Sequence, residues 1–109
     1  MNQNPPVSLL DEAVSILSAS HREVTCNEYG ATIVAGFSVT GGLDGSARIS
    51  HATPEPDLLD PERPSDDELA AARHRMVAAY ATTLSSAGWT VWRRGPHSRT
   101  PYLLASRRA

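Results

Sequence analysis

Ser65-Asp-Asp-Glu-Leu-Ala-Ala-Ala-Arg-His-Arg-Met-Val-Ala-Ala-Tyr-Ala-Thr-Thr-Leu-Ser-Ser-Ala-Gly-Trp-Thr-Val-Trp92 is the stretch whose reading decides the fold. Ser65 stands three residues before Glu68, the spacing of a capping box. Asp66 and Asp67 add negative charge where a helix N-terminus is positive. Alanine, the best helix former, fills the turns that follow. Leu69, Ala72, Met76, Tyr80, Thr83 and Leu84 recur at helical spacing and form the expected inward stripe. Gly88 sits where a left-handed residue closes a helix. Beyond it the period changes to two, so Trp89 to Arg94 reads as a strand entered directly from a long helix.

Outward to the C-terminus, Gly95 to Pro101 is a polar loop and Tyr102 to Ser106 a return strand. Alternation puts Trp89, Val91 and Arg93 on one face and Thr90, Trp92 and Arg94 on the other. One indole can therefore enter the core while the other stays outside among arginines.

Outward to the N-terminus, residues 54–64 hold four prolines and the acids Glu55, Asp57, Asp60 and Glu62. Proline lacks a backbone N–H, so this segment is a surface crossing loop and no central strand. Leu58 and Leu59 are expected to tack it onto the body. Ser46 to Thr53 reads as a strand, with Ala47 and Ile49 inward. Gly41-Gly42-Leu43-Asp44-Gly45 connects it to the stretch Ala31–Thr40. There Ile33, Ala35, Phe37 and Val39 share the inward face, and Thr32, Val34, Gly36, Ser38 and Thr40 share the other. Asn27-Glu28-Tyr29-Gly30 is a tight turn, and Glu23 to Cys26 a short strand before it.

The first helix starts at Ser8, an N-cap with Asp11 at N3, carries Leu10, Ala13, Val14 and Leu17 inward, and fades at Ser18-Ala19-Ser20. Its exit, Leu17 to Thr25, looks like the exit Leu84 to Trp92, two uses of one helix-to-strand solution. The expected fold is α+β in one domain spanning 1–109. It has a single antiparallel sheet of about five strands, two helices on one face, and the order α-β-β-β-α-β-β. The other face, holding Thr32, Val34, Ser38 and Trp92, is half apolar, which makes a homodimer through it an expectation.

Charge divides along the chain. Residues 1–69 carry all 12 acidic groups and three arginines, a net −9, whereas residues 70–109 carry seven arginines and no acid, a net +7. Either the halves attract each other or the C-terminal part meets an anionic partner. No run of residues is long and apolar enough for a membrane span. The opening Met1-Asn-Gln-Asn-Pro-Pro lacks a basic and then apolar leader, so a cytoplasmic location is expected.

Catalytic and metal chemistry find little support. His21, His51, His74 and His97 show no i,i+3 or i,i+4 pair of the kind that metal sites use. His21 is expected to cap a helix end. Cys26, the only cysteine, lines up with Val24 on the inward face of a strand and reads as core. The glycine loop at 41–45 lacks the lysine and following helix of a phosphate-binding loop. No cofactor or metal is expected, and no enzyme. Were there chemistry, His97 and Arg94 would be its actors.

The candidate site is the C-terminal hairpin: Trp92, Arg93, Arg94, His97, Arg99 and Tyr102. Tryptophan, tyrosine and arginine dominate protein-interaction hot spots, so a protein partner or a second copy is the first expectation. Nucleic acid is the alternative, with Arg93, Arg94 and Arg99 on phosphates and Trp92 or Tyr102 stacked on a base. A third option is an edge hairpin whose arginines only prevent sheet-to-sheet association.

Gly88-Trp89, the strand that follows and Arg93-Arg94-Gly95-Pro96-His97-Ser98 resemble the opening of the HicA-type messenger-RNA-cleaving toxins. The resemblance covers the helix exit and the hairpin alone. Those toxins hold their catalytic histidine in a Gly-Ser-His setting and continue into a further strand and helix. Here the setting is Gly95-Pro96-His97 and the chain ends at Ala109, so the activity is not carried over.

Overall fold

Both helices begin as their side chains dictate. Residues 8–107 are described by the structure, a computed structural model. The Ser8 side chain accepts the Asp11 N–H at 3.0 Å and opens α1 (Leu9–Ser18). Ser65 does the same for Glu68 at 3.1 Å and opens α2 (Asp66–Ser86). At the far end of α2, Trp89 N–H reaches Leu84 O and Gly88 N–H reaches Ser85 O, with Gly88 at φ +90°. These are the paired bonds of a Schellman motif, and Leu84 and Trp89 are buried together beside it. The exit of α1 is different: Ser20 and His21 N–H both return to Leu17 O, without a left-handed residue. The two exits share a sequence flavour and not a geometry.

Between and after the helices run β1 (Thr25–Cys26), β2 (Thr32–Val34), β3 (Gly36–Gly41), β4 (Ala47–Ala52), β5 (Thr90–Arg94) and β6 (Tyr102–Ser106). The element order is α-β-β-β-β-α-β-β. A single sheet is thus corrected to two antiparallel ones, a four-stranded sheet in the order β3-β4-β6-β5 and a separate β1-β2 hairpin. The expected ten-residue strand breaks at Ala35. At Gly36 the backbone of Arg22, Glu23 and Val24 crosses so close that a Cβ would lie 2.5 Å from Arg22 O. Val24 N–H donates to Phe37 O and Phe37 N–H to Arg22 O, which makes a short parallel bridge on the β3 edge. Once that edge is taken, the chain before Gly36 turns away and pairs with β1 instead.

This break moves several residues out of the expected core. Phe37 is fully buried, but Ile33, four residues earlier on the same alternation, is exposed. Cys26 is exposed as well, in the two-stranded β1-β2 hairpin that stands apart from the four-stranded sheet. Thr32 and Val34 belong to the hairpin and do not share a sheet face with Ser38 and Trp92.

The core lies between the helices and one face of the four-stranded sheet. Ala13 and Leu17 of α1 and Val77, Tyr80 and Leu84 of α2 meet Phe37, Ala47, Ile49, Leu103 and Ala105. Val77 joins the stripe expected for α2, with Met76 packed at its margin. A polar seam ties α2 down: His21 to Thr83 at 2.7 Å, His51 to the Tyr80 hydroxyl at 2.6 Å, and His74 to Ser98 O at 2.7 Å. His21 is therefore spent on α2 instead of capping α1. Within residues 8–107 no helix is long and apolar enough to cross a membrane.

Residues 54–64 form no strand or helix, but the anchoring expected of Leu58 and Leu59 is corrected. Asp57 accepts from Leu59 N–H and Asp60 from Glu62 N–H, two successive Asx turns. Arg63 closes them by donating to Leu58 O at 2.7 Å. Leu58 and Leu59 are 73% and 92% exposed, so the turns hold them outward, away from the body.

Candidate functional site: the open face of the sheet

The strand register fixes which side chains meet on the sheet face away from the helices. Thr40, Arg48, Leu104 and Trp92 stand in one cross-strand row, and Ser38, Ser50, Tyr102 and Arg94 in the next. Trp92 is 44% exposed, while Trp89 at 7% is in the core, which is the division that alternation predicts for the two indoles. The Arg48 guanidinium lies over the Tyr102 ring, 4.1 Å from its centre, in cation–π geometry.

Leu104 is buried although no helix covers it. The β3–β4 connection bends down over it through a turn at Leu43–Gly45, with Asp44 at φ 55°. That descent needs Gly42, where a Cβ would lie 2.6 Å from Ser46 Oγ and 2.9 Å from Leu104 Cδ2. Two shallow depressions result, with Leu43 and Leu104 forming the wall between them. One, of about 250 Å³, is lined by Trp92 and Arg94, with Asp44 at its rim. The other, of about 310 Å³, runs to Arg48 and Tyr102.

The six candidate residues are only partly gathered. Trp92, Arg94 and Tyr102 share the open face. Arg93 pairs in register with Leu103 and so stands on the helix side, at the exposed end of β5. Arg99 is held at the start of α2 by Asp66 and Asp67, at 3.8 and 3.3 Å. His97 is exposed in the loop before it and has no side-chain hydrogen bond among the described residues. Arg107 pairs with Glu12, so the basic end and acidic beginning of the chain do meet in places. They do not meet on the open face: among the described residues Arg48 and Arg94 have no carboxylate within ion-pair distance.

Sequence reasoning missed Arg48, Leu43 and Leu104. Alternation with Ala47 and Ile49 already turned Arg48 outward, but only the β4–β6 register brings it to Tyr102. The cover over Leu104 depends on a loop conformation for which no periodicity exists.

Titratable chemistry is concentrated on the opposite side. Burial, with Arg73 nearby, lowers the His51 pKa below its ordinary value. Burial pushes the Tyr80 hydroxyl up to about 12. The pair sits against the core, flanked by His21 and Phe37 rings at 4.9 and 5.9 Å from Tyr80, and lines neither depression. Among the described residues, no three His, Cys, Asp or Glu side chains gather as metal ligands would.

Comparison with protein-family models, with curated proteins and with solved structures returns no match.

Proposed function

We propose that this chain is a non-enzymatic binding or regulatory domain that engages a protein through the open face of its sheet. One observation carries the reading. A half-exposed tryptophan, two leucines and a tyrosine form an apolar floor, bordered by two arginines without carboxylate partners among the described residues. Aromatic and arginine side chains around an apolar centre are what protein hot spots are made of. The fitting partner surface is apolar at its centre and acidic at its rim.

Nucleic acid fits less well, because the three arginines needed along a phosphate track are divided. Only Arg94 remains on the face with Trp92, Arg93 stands on the other side, and Arg99 is already neutralised. The test compares the chain with Trp92→Ala and Arg94→Glu in affinity capture from its own cells, followed by mass spectrometry. The expected result is a protein retained by the parent and lost by both variants, with unchanged circular dichroism. Identical captured sets would overturn the reading. Binding of single-stranded oligonucleotides that weakens steeply with salt would favour nucleic acid instead.

A further inference from the structure

We infer that the occupant of the open face is a second copy of this chain, which inserts its own 54–64 loop. The inference rests on the open face being a protein-binding surface, and it adds which protein. The argument is complementarity within one sequence. The face offers a mostly apolar depression beside Arg94 and a second, half-polar one beside Arg48, and neither guanidinium has a carboxylate partner among the described residues. The loop offers the inverse: two adjacent, outward leucines among Glu55, Asp57, Asp60 and Glu62. None of those four acids has an ion-pair partner among the described residues.

The loop is also pre-organised. Its two Asx turns and the Arg63 clasp hold Leu58 and Leu59 outward before any partner arrives, so little chain entropy is lost on docking. A solvent-directed pair of leucines has no use in the packing of its own chain, and an arginine-bordered apolar cavity has none either. Each surface supplies what the other lacks. Leu58 and Leu59 fill the depression beside Trp92, while the loop carboxylates meet Arg94 and Arg48. Asp44, at the cavity rim, opposes that charge match and sets an upper limit on affinity.

The contact joins unlike surfaces, so it can be broken from either side and restored by mixing. The experiment is sedimentation velocity on the full chain from low-micromolar to millimolar concentration. Three samples are compared: the parent, the double variant L58D/L59D and the variant W92A. The parent should gain mass with concentration. Each variant alone should associate roughly 30-fold more weakly, the loss expected for a central interface side chain. An equimolar mixture of the variants should form a dimer and nothing larger, through one intact loop and one intact face. Circular dichroism melts check folding, which should persist because all three positions are exposed.

A parent chain that stays monomeric throughout would overturn the inference. So would self-association equal in parent and variants, or a mixture that fails to form the dimer. If the parent is monomeric yet still captures another protein in a Trp92-dependent way, the second copy is rejected and the binding face remains. If Trp92 affects neither measurement, both fall.

Discussion

On the helix side of the four-stranded sheet, Phe37, Ile49 and Leu103 are sealed from water. On the opposite face of the same sheet, Arg48 of β4 and Trp92 and Arg94 of β5 stand in the open. Both faces arise from the same alternation, but they carry different kinds of information. The covered face is written in aliphatic and aromatic residues that any helix with a matching stripe can bury, and it determines the fold. The open face mixes a large indole, a tyrosine, leucines and guanidinium groups without carboxylate partners among the described residues. Cross-strand contacts such as that of Arg48 with Tyr102 add to the sheet, but neither α1 nor α2 covers this face, and the proposed function rests on it.

The difference can be tested by substitution. The largest effect is expected on the covered side. Phe37→Ala should cost about 3–5 kcal/mol of unfolding free energy, from lost burial plus the cavity left against Tyr80. Urea denaturation with an unchanged slope would measure it. A loss below about 1 kcal/mol would mean that the covered face is not the core drawn here.

The sheet edge comes next. At Gly36 a Cβ would meet backbone atoms of Arg22, Glu23 and Val24 at 2.5 to 2.6 Å, and backbone cannot swing aside as a side chain can. Gly36→Ala should therefore destabilise by roughly 1–3 kcal/mol and loosen the bridge between residues 22–24 and β3. Faster amide exchange at Val24 and Phe37 would be the signature, since those N–H groups form the bridge. Unchanged exchange would show that the crossing is not held there.

These edge residues also explain how far the sequence could be read. Local signals were reliable: both serine caps, the glycine closing α2, the turn at Asn27–Gly30 and the division of the two indoles between core and surface. What failed was long-range. Ile33 and Cys26 alternate in step with Ala35 and Val24, which are half-buried, yet both are exposed, because residues 22–24 occupy the β3 edge and the chain beyond it pairs as a separate hairpin. No periodicity within a strand reports what crosses its end. The same limit hid Arg48, whose outward direction was legible while its place over Tyr102 depends on register. Leu58 and Leu59 failed differently. Apolar residues in a loop suggest an anchor, and only the Asx turns decide that they point away. In the candidate site, the types of residue were legible, but their grouping was not.

A third prediction concerns pH on the covered side, and it changes a slope more than a midpoint. His51 has its pKa lowered in the fold by burial and then by Arg73, so the unfolded chain takes up a proton first as pH falls. Stability contributed by neutral His51 is present above pH 6.5 and is lost as pH drops below it. At the alkaline end the signs reverse. Tyr80 stays protonated in the fold up to about 12 whereas the unfolded chain ionises near 10, so stability falls as pH rises between them. His51→Asn should flatten the acid slope and Tyr80→Phe the alkaline one. Slopes unchanged in both variants would show that the seam does not contribute to the pH dependence.

The smallest effect on stability belongs to the residue with the largest expected effect on binding. Trp92 is 44% exposed on a strand with only one neighbour, and it lines the depression beside Leu104 without joining the core. Trp92→Ser should therefore change unfolding free energy by no more than about 0.5 kcal/mol, as surface substitutions do. Threonine at this position should do slightly better than serine, because β-branched residues suit an edge strand. A loss of several kcal/mol would place the indole among the side chains that hold the sheet together and remove the reason for treating it as available to a partner. A near-zero change in stability, together with loss of association, would separate the two faces as cleanly as the register does. Folding would then depend on one side of the strands and recognition on the other.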